Sequence, residues 1–270
     1  MDTYKKSKRK SIAAWIVAFF FAIVWLIVSF TPFIFMVLNS FKEKFEMLTK
    51  GVFQLPDKLN WANYTEVLTG GFLNYFKNSV IVLAVSLILL LFISACASYP
   101  LARFKFKLAQ PIYGLIVACM SIPVHITLIP VFKMSKATGL YDSIWALIGP
   151  YIAFAVPISV FILTSFMQEI PREIEESAEI DGCGKIQMFF SMILPLAKPG
   201  LATLAIYNGV NMWNEFSFAY TLTQSSPNRT LPLAIWEFQG QYSMNTPMII
   251  MFIIFQDKLV KGMTAGAVKG

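Results

Sequence analysis

The sequence predicts an all-α membrane protein with five full transmembrane helices and a shortened sixth. Three observations support this prediction. Hydrophobic residues make up 57% of the 270 residues and charged residues only 14%, whereas a typical soluble domain is about 25% charged. The apolar residues lie in long uncharged blocks, and a helix that crosses a bilayer needs about 20 such residues. Several blocks contain prolines, which a bundle of membrane helices tolerates.

The first apolar block, residues 11–38, follows a basic cytoplasmic head of residues 1–10. A basic head and an apolar block also form a secretory signal. However, this block is about twice as long as a signal core, and no small-residue cleavage site ends it. We therefore interpret residues 11–38 as an uncleaved first transmembrane helix and residues 39–77 as the extracytoplasmic loop that follows it.

Four further blocks are long enough to form transmembrane helices. They comprise residues 78–102, 108–132, 143–168 and 199–222. A proline inside a soluble helix would cost about 3 kcal/mol, but neighbouring membrane helices and hydroxyl side chains satisfy the carbonyl groups that proline leaves free. We therefore count each block as one span. The third and fourth spans then contain Pro123, Pro130, Pro150 and Pro157.

The sixth block is short, because only residues 247–255 are apolar. Nine helical residues rise about 13.5 Å, against a hydrocarbon core of about 30 Å. Two outcomes stay open. Either the block crosses as a short buried helix with local thinning of the bilayer, or it does not cross. In the first case residues 78–260 form the transmembrane domain and residues 261–270 a cytoplasmic tail.

The distribution of lysine and arginine predicts a cytoplasmic N-terminus. With that orientation the inner segments hold more of these residues than the outer segments, and most of the excess lies in residues 1–10. The positive-inside rule therefore accounts for the net charge of +7. We expect membrane lipid around the chain and no nucleic-acid partner.

The loop between the fourth and fifth spans, residues 169–198, is rich in glutamate and is called the acidic loop below. Pro171 suits the first position of a helix, and glutamates in the next turn favour the positive end of the helix dipole. Gly182 suits the left-handed conformation that ends a helix. A second short helix is predicted over residues 185–194, ending before Pro195.

The first of these two short helices carries a mostly apolar face with small side chains. Ile170, Ile174, Ala178 and Asp181 recur along it at helical spacing. Such neighbours share one face of a helix. We expect this face to dock into a partner. The alternative interpretation is a solvated loop that only joins two spans.

The acidic loop resembles the cytoplasmic signature of the permease subunits of binding-protein-dependent ATP-binding-cassette (ABC) importers. That signature is Glu-Ala-Ala, three residues, glycine, nine residues and Ile-x-Leu-Pro. The matching residues are Glu176, Ser177, Ala178, Gly182, Met192, Leu194 and Pro195. In that family the loop is a coupling helix that fits a cleft of an ATPase subunit. The resemblance implies an ATPase-coupling site of Glu176, Ser177, Ala178, Asp181, Gly182, Leu194 and Pro195.

Other segments resemble the maltose-type sugar permeases. They are YPLARFKF at residues 99–106, LPDKLNWANYTEVL at 55–68, WNEF at 213–216 and GMTAGAVKG at 262–270. This resemblance implies a type I ABC importer transmembrane domain that imports sugars or oligosaccharides across a bacterial cytoplasmic membrane. It implies four partners: a second permease subunit, two ATP-binding subunits and an extracytoplasmic sugar-binding protein. It also implies that the tail contacts the ATPase through Gly266, Val268 and Lys269, unless that end is only solvated.

A polar stripe on the fifth span predicts part of a substrate path. Polar residues on a membrane helix face the bundle interior or a wet cavity. Amide and carboxylate groups match sugar hydroxyls, and aromatic rings can stack on sugar faces. The stripe consists of Thr203, Tyr207, Asn211 and Asn214/Glu215, with Trp213 beside it. The predicted path residues are Tyr207, Asn211, Trp213, Asn214 and Glu215. The alternative is that they bond to neighbouring helices without touching substrate.

The sequence contains no motif for catalysis or for a cofactor. A phosphate loop requires G-x-x-x-x-G-K-[ST], and Gly182-Cys183-Gly184-Lys185 has the wrong spacing. The three cysteines lack metal-ligand spacing. We therefore expect no enzyme activity, no metal and no cofactor on this chain, with ATP and Mg²⁺ bound by the partner ATPase.

The main alternative function is an ion- or proton-coupled secondary carrier. Such a carrier would place paired acids or several basic residues within its spans, whereas Glu215 is the only acid in the blocks above. A membrane-embedded enzyme would need a catalytic constellation, and none is apparent. A third alternative is a non-functional truncated permease, because the family carries additional residues where the sixth block is short.

Overall fold

The structure, a computed structural model, describes residues 2–43, 46–51 and 53–238. Every regular element in these ranges is a helix, which confirms the predicted all-α fold for this part of the chain. The chain divides into two compact units. One holds the described residues up to Gly70 together with Phe238, and the other holds Gly71–Glu237. The sixth block and the tail residues Gly266, Val268 and Lys269 lie outside the described residues.

The first unit contains the helices α1 (Asp2–Ser40), α2 (Glu46–Lys50) and α3 (Ala62–Val67). Within α1, the segment Ala14–Ser40 is long and apolar enough to cross a membrane, and its residues up to Phe30 are exposed. Such exposure suits a helix surrounded by lipid. The loop that follows α1 is held by the amide of Asn63, which donates hydrogen bonds to the carbonyls of Ser40 and Lys42 at 2.9 Å each.

The second unit contains ten helices among the described residues, in part broken by proline and by polar residues. They are α4 (Leu73–Arg103), α5 (Ala109–Ala118), α6 (Val124–Ala137), α7 (Trp145–Glu169), α8 (Glu173–Ile180), α9 (Lys185–Met188), α10 (Leu194–Leu196), α11 (Lys198–Trp213), α12 (Ser217–Leu222) and α13 (Leu231–Phe238). A π-helical turn, Phe189–Ile193, joins α9 to α10.

Three described helical segments are long and apolar enough to cross a membrane, namely Ala14–Ser40, Ala62–Arg103 and Trp145–Glu169. Two bent pairs raise the number of candidate spans to five. Ala109–Ser121 meets Val124–Ala137 at 98°, and Lys185–Leu196 meets Lys198–Trp213 at 68°. The helices of the third predicted block are therefore bent relative to each other and do not form one straight span.

The break in the third block follows from a single proline. The residue before a proline is pushed from the helical into the extended region, and Ile122 has φ −79° and ψ 115°. Pro123 itself is extended, with ψ 132°. By contrast, Pro130, Pro150 and Pro157 lie inside helices, as predicted.

The core of the second unit lies where α4, α7 and α11 meet the acidic loop. The side chains of this cluster are at most 8% exposed; they are Ala95, Tyr99, Ala102, Leu163, Met167, Ala178, Met188, Phe189, Ile193, Ala197 and Leu204. Five of them belong to the acidic loop, which is therefore packed onto the bundle. The loop is not a solvated linker.

Hydrogen bonds of Asp142 connect the loop between α6 and α7 to the segment after α12. Asp142 has φ 58°, and its carboxylate accepts hydrogen bonds from the backbone N–H groups of Gln224 and Ser225 at 2.8 Å each. The Asp142 N–H donates to the carbonyl of Leu222 at 2.9 Å. The N–H of Ser225, and after it that of Gln224, holds the pKa of Asp142 below its ordinary value.

Asp142→Asn should remove an acid-sensitive contribution to stability. Asn tolerates the left-handed conformation, but its neutral oxygen is a weaker acceptor than a carboxylate. Because the pKa of Asp142 is lowered by folding, its contribution is complete above the unfolded pKa of about 3.9 and is lost as pH falls through the folded pKa. Thermal unfolding in detergent should place the variant a few degrees below wild type at pH 7. The gap should close below about pH 4; a gap that persists unchanged there would contradict the assignment.

Candidate functional site

The first helix of the acidic loop, α8, begins two residues after the predicted start. Its N-cap is Arg172, whose carbonyl accepts the N–H groups of Glu175 and Glu176 at 2.9 and 3.0 Å. Three glutamates occupy the first turn, including Glu173. This is the end of a helix dipole that favours carboxylates. Pro171 precedes the helix and does not open it.

The end of α8 follows the prediction for Gly182. Gly182 has φ +80°, and its N–H donates to the carbonyl of Glu179 at 3.0 Å. The next N–H, of Cys183, donates to the carbonyl of Ala178 at 2.9 Å. These two bonds form a Schellman motif, in which a left-handed residue satisfies the last carbonyls of a helix.

The second helical part of the loop does not end before Pro195. It continues through α10 to Leu196, and the N–H of Ala197 still donates to the carbonyl of Ile193 at 2.9 Å. A proline is tolerated near the start of a helical segment, where its missing N–H costs no hydrogen bond. Here the π-helical turn ends at Ile193, and Pro195 stands within the first two positions of α10.

Ile170 and Ala178, from the predicted small-residue face, point inward, which corrects the prediction that this part of the face docks into a partner. Ala178 is 1% exposed and belongs to the core cluster. Ile170 packs against the same cluster. A methyl side chain at Ala178 lets α8 lie close to α4 and α7. Periodicity in the sequence identified a face but could not tell which way it points.

The outward surface of the loop carries most of the other predicted coupling residues. Glu176, Ser177, Asp181, Gly182 and Pro195 are exposed. Leu194 is half-buried and packs on the core cluster.

Two apolar side chains on the same surface were missed in the sequence. Ile180 is 86% exposed and Ile186 is 77% exposed. They flank the Schellman turn, Ile180 just before it and Ile186 just after it. The loop therefore presents two isoleucines beside acidic groups, a composition suited to contact with another protein.

A cavity of about 490 Å³ lies beside the break between α5 and α6 and beside the turn between α11 and α12. Val124 and His125, just after that break, line it. Asn214, Glu215 and Phe216, between α11 and α12, line it too. The remaining lining residues that matter here are Tyr151, Phe154, Tyr207, Asn208 and Asn211. A cavity of this size, mostly apolar with a few convergent polar groups, is typical of a small-molecule site.

Four of the five predicted path residues reach this cavity, and Trp213 does not. The indole of Trp213 is 2% exposed and packs edge-on against Phe76 at 5.9 Å between ring centroids. Asn208 is the polar residue that the sequence analysis overlooked. Its amide is buried and donates to the Ser159 hydroxyl at 3.0 Å, so it also joins α11 to α7.

Glu215 explains why the fifth predicted block is not one helix. Its carboxylate accepts the N–H groups of Phe218 and Ala219 at 2.8 and 3.2 Å, which begins the short helix α12. It also accepts the Tyr151 hydroxyl at 2.9 Å. Three donors from the chain itself thus hold this carboxylate at the edge of the cavity.

We expect the main effect of Glu215→Ala to be a lower stability of the helix bundle and not the loss of a substrate contact. The change leaves Tyr151 and two N–H groups without their acceptor, at about 1–3 kcal/mol for a buried polar group left unpaired. Thermal unfolding in detergent should show a clear loss, and Glu215→Gln, which keeps an acceptor, should show a smaller one. Unchanged unfolding together with lost transport would instead indicate that Glu215 contacts substrate directly.

Comparison with known proteins identifies the family. Residues 91–256 match the model of the family described as "Binding-protein-dependent transport system inner membrane component". The chain belongs to this family. A putative ABC transporter permease protein, ORF2, of Caldicellulosiruptor sp. (strain Rt8B.4) is 47% identical over 264 residues, covering 93% of this chain and 96% of that protein.

A second relative of the permease is named for a sugar. It is the trehalose/maltose transport system permease protein MalG of Thermococcus litoralis, 33% identical over 268 residues, covering 92% of this chain and 95% of that protein. Among solved structures, a bacterial ABC transporter involved in the import of alginate matches with a TM-score of 0.80 at 20% identity. This match covers 94% of this chain and 95% of that chain, and it supports the predicted type I transmembrane fold.

Family membership establishes what kind of subunit the chain is. It is a membrane permease and not a catalytic subunit. Among the described residues, no group of three or more histidine, cysteine, aspartate or glutamate side chains could hold a metal ion. Within the part of the chain that the structure describes, the acidic loop and the cavity hold most of the residues that the sequence analysis assigned to function.

Proposed function

We propose that the chain is the permease subunit of an ATP-driven importer of sugars or oligosaccharides. It forms half of the translocation path and couples to a separate ATPase through residues 173–195. The single observation that carries this proposal is the acidic loop, which is folded on its own core yet exposes Ile180 and Ile186 beside Glu176 and Asp181. A surface of that kind has no purpose in a carrier that works alone.

The partners and cofactors follow from this assignment. A second permease subunit completes the path, two ATP-binding subunits bind ATP and Mg²⁺, and an extracytoplasmic sugar-binding protein delivers substrate. The chain itself needs no cofactor. It resides in a bacterial cytoplasmic membrane with its N-terminus in the cytoplasm. The tail residues Gly266, Val268 and Lys269 are further proposed contacts with the ATPase.

The cavity supports a hydroxyl-rich, uncharged substrate. Its polar lining consists of amides, tyrosines, one serine and one histidine, together with the Glu215 carboxylate that three donors already hold. Among the described residues that line it, none is lysine or arginine. An anionic group would be drawn into such a site only by a paired cation, whereas sugar hydroxyls bond to amides and sugar faces pack on Tyr207 and Phe216.

The proposal is tested by purification and by one pair of matched variants. The N-terminally tagged chain is extracted in mild detergent from its source membrane, and mass spectrometry identifies what co-purifies. We expect an ATPase with a phosphate loop and a second, related permease.

The ATPase should no longer co-purify with the Ile180→Glu variant, because burying a carboxylate in a desolvated apolar contact is costly. Leu55→Glu provides the control, since Leu55 is also largely exposed, at 76% against 86% for Ile180, but belongs to the predicted extracytoplasmic loop. A wild-type chain that is well folded, transports substrate and carries no ATPase would overturn the proposal in favour of a secondary carrier.

A further inference from the structure

A buried arginine at the end of α4 contacts both elements that flank the start of the acidic loop. The side chain of Arg103 is 2% exposed, and its Nε lies 2.6 Å from Oε1 of Glu175 in α8. Its Nη2 donates a hydrogen bond to the carbonyl of Ile170 at 2.7 Å. Ile170 is the C-cap residue that follows the last residue of α7. One guanidinium group therefore joins α4, α7 and α8.

The chemistry of arginine makes this junction a strong one. The guanidinium is planar, permanently charged and able to direct several donors at fixed angles. Glu175 is itself only 12% exposed. Separating the two groups would leave a cation and an anion buried without their partners, which proteins strongly disfavour. The ion pair between Arg103 and Glu175 therefore keeps α8 attached to the bundle when α8 moves.

The same loop contains a second ion pair that provides a contrast. Lys185 and Glu179 are in contact, but their side chains are 54% and 48% exposed. Exposed pairs are screened by water and salt and contribute little. Of these two ion pairs, only the one between Arg103 and Glu175 can transmit a displacement of α8 to α4 and α7.

The route from this junction leads to the cavity. Arg103 holds the end of α7 through Ile170, and α7 contributes Tyr151 and Phe154 to the cavity lining. A shift of α8 that carries Arg103 with it must therefore move the helix that shapes the cavity. If Arg103 did not join α7 to α8, the turn between these helices could change conformation when α8 moves, and α7 would stay in place.

We propose that Arg103 is a positioning residue that ties α8 to α4 and α7, so that displacement of the acidic loop changes the cavity. This role rests on the proposed function, because it assumes that a partner ATPase moves the loop. Arg103 is not among the described residues that line the cavity. Its contribution is to convert hydrolysis on the partner into movement of substrate.

The test measures the amount of sugar imported per ATP hydrolysed by the complete transporter in proteoliposomes. Arg103→Met keeps the length of the side chain but removes the charge and the donors. We expect ATP hydrolysis to continue while sugar imported per ATP falls about tenfold, within the range of typical coupling between sites. Glu175→Gln should shift the ratio in the same direction. Lys50→Met, which breaks the exposed ion pair of Lys50 with Asp57 outside the acidic loop, should leave it unchanged.

A second measurement needs no ATPase and covers the case in which Arg103→Met assembles poorly. Spin labels are placed on Ile180→Cys in α8 and Ser165→Cys in α7, with the three native cysteines replaced by alanine. The distance distribution should be narrow in the full-length wild-type chain in lipid and broad in the Arg103→Met and Glu175→Gln variants.

The outcomes separate the two proposals. If the wild-type complex does not couple hydrolysis to import, the proposed function fails, while the spin-label distances still report on the junction. If the wild type couples and both variants import as much sugar per ATP as the wild type, Arg103 has no positioning role. Unchanged spin-label distances in the variants would overturn the inference as well.

Discussion

Gly182→Arg should abolish transport while the chain still inserts into the membrane. Gly182 has φ +80°, and a Cβ there would meet no atom within 4 Å. The effect therefore comes from the backbone and from the surface, not from a clash. A left-handed conformation costs a residue with a Cβ about 1–2 kcal/mol, and an arginine side chain would stand between Ile180 and Ile186 on the proposed docking surface. Membrane fractionation and sugar uptake would measure the two effects separately.

The neighbouring glycine supplies the control for this prediction. Gly184 also has open space around its Cβ, but its φ of −70° and ψ of 155° suit any residue. Gly184→Arg should retain more transport than Gly182→Arg. Gly182→Asn, which tolerates the left-handed region, should retain most of it. Equal loss in all three variants would show that the turn conformation is irrelevant to coupling.

Gly200→Ala should destabilise the bundle more than any other glycine-to-alanine change in α11. A Cβ at Gly200 would lie 2.9 Å from Cγ of Phe166, closer than two carbon atoms can approach. Overpacking of this kind costs about 1–3 kcal/mol. For chains of this size that corresponds to a loss of about 2–4 °C in unfolding temperature per kcal/mol. Thermal unfolding in detergent would measure it.

Gly209→Ala is the matched control on the same helix. Its Cβ would meet Leu87 at an ordinary 3.9 Å, and alanine gains about 1 kcal/mol over glycine in a helix interior. The two changes should therefore shift the unfolding temperature in opposite directions. Phe166→Leu combined with Gly200→Ala should recover part of the loss. If the two single variants unfold at the same temperature, the contact between Gly200 and Phe166 is not a tight one.

The sequence predicted features that depend on neighbouring residues. Long apolar blocks give helices because the bilayer leaves the backbone no other way to satisfy its polar groups. Gly182 was predictable because few other residues adopt the left-handed conformation at low cost. The same local signals misled at Pro123, which breaks its helix while Pro130 does not. Whether a proline kinks or interrupts a membrane helix depends on what packs around it.

The features that the sequence could not predict join residues far apart in the chain. Arg103 resembled one more cytoplasmic cation, because nothing near it in sequence indicates Glu175 or the carbonyl of Ile170. Tyr151 is likewise 64 positions from Glu215. Trp213 lies two positions before Glu215, yet it points into the core and not into the cavity. Tertiary packing decides whether a side chain of a helix faces the core or the cavity. The periodicity of the sequence does not contain this information.

The buried side of the acidic loop has a consequence for how the transporter is built. A segment that must fold on its partner gives up part of its binding energy to become ordered. A preorganised surface avoids that loss. Ala178, Met188 and Ile193 anchor this loop within the chain itself, so its outer surface is complete before an ATPase arrives. Assembly would then be the binding of two prefolded proteins. One ATPase could be exchanged for another without the permease unfolding.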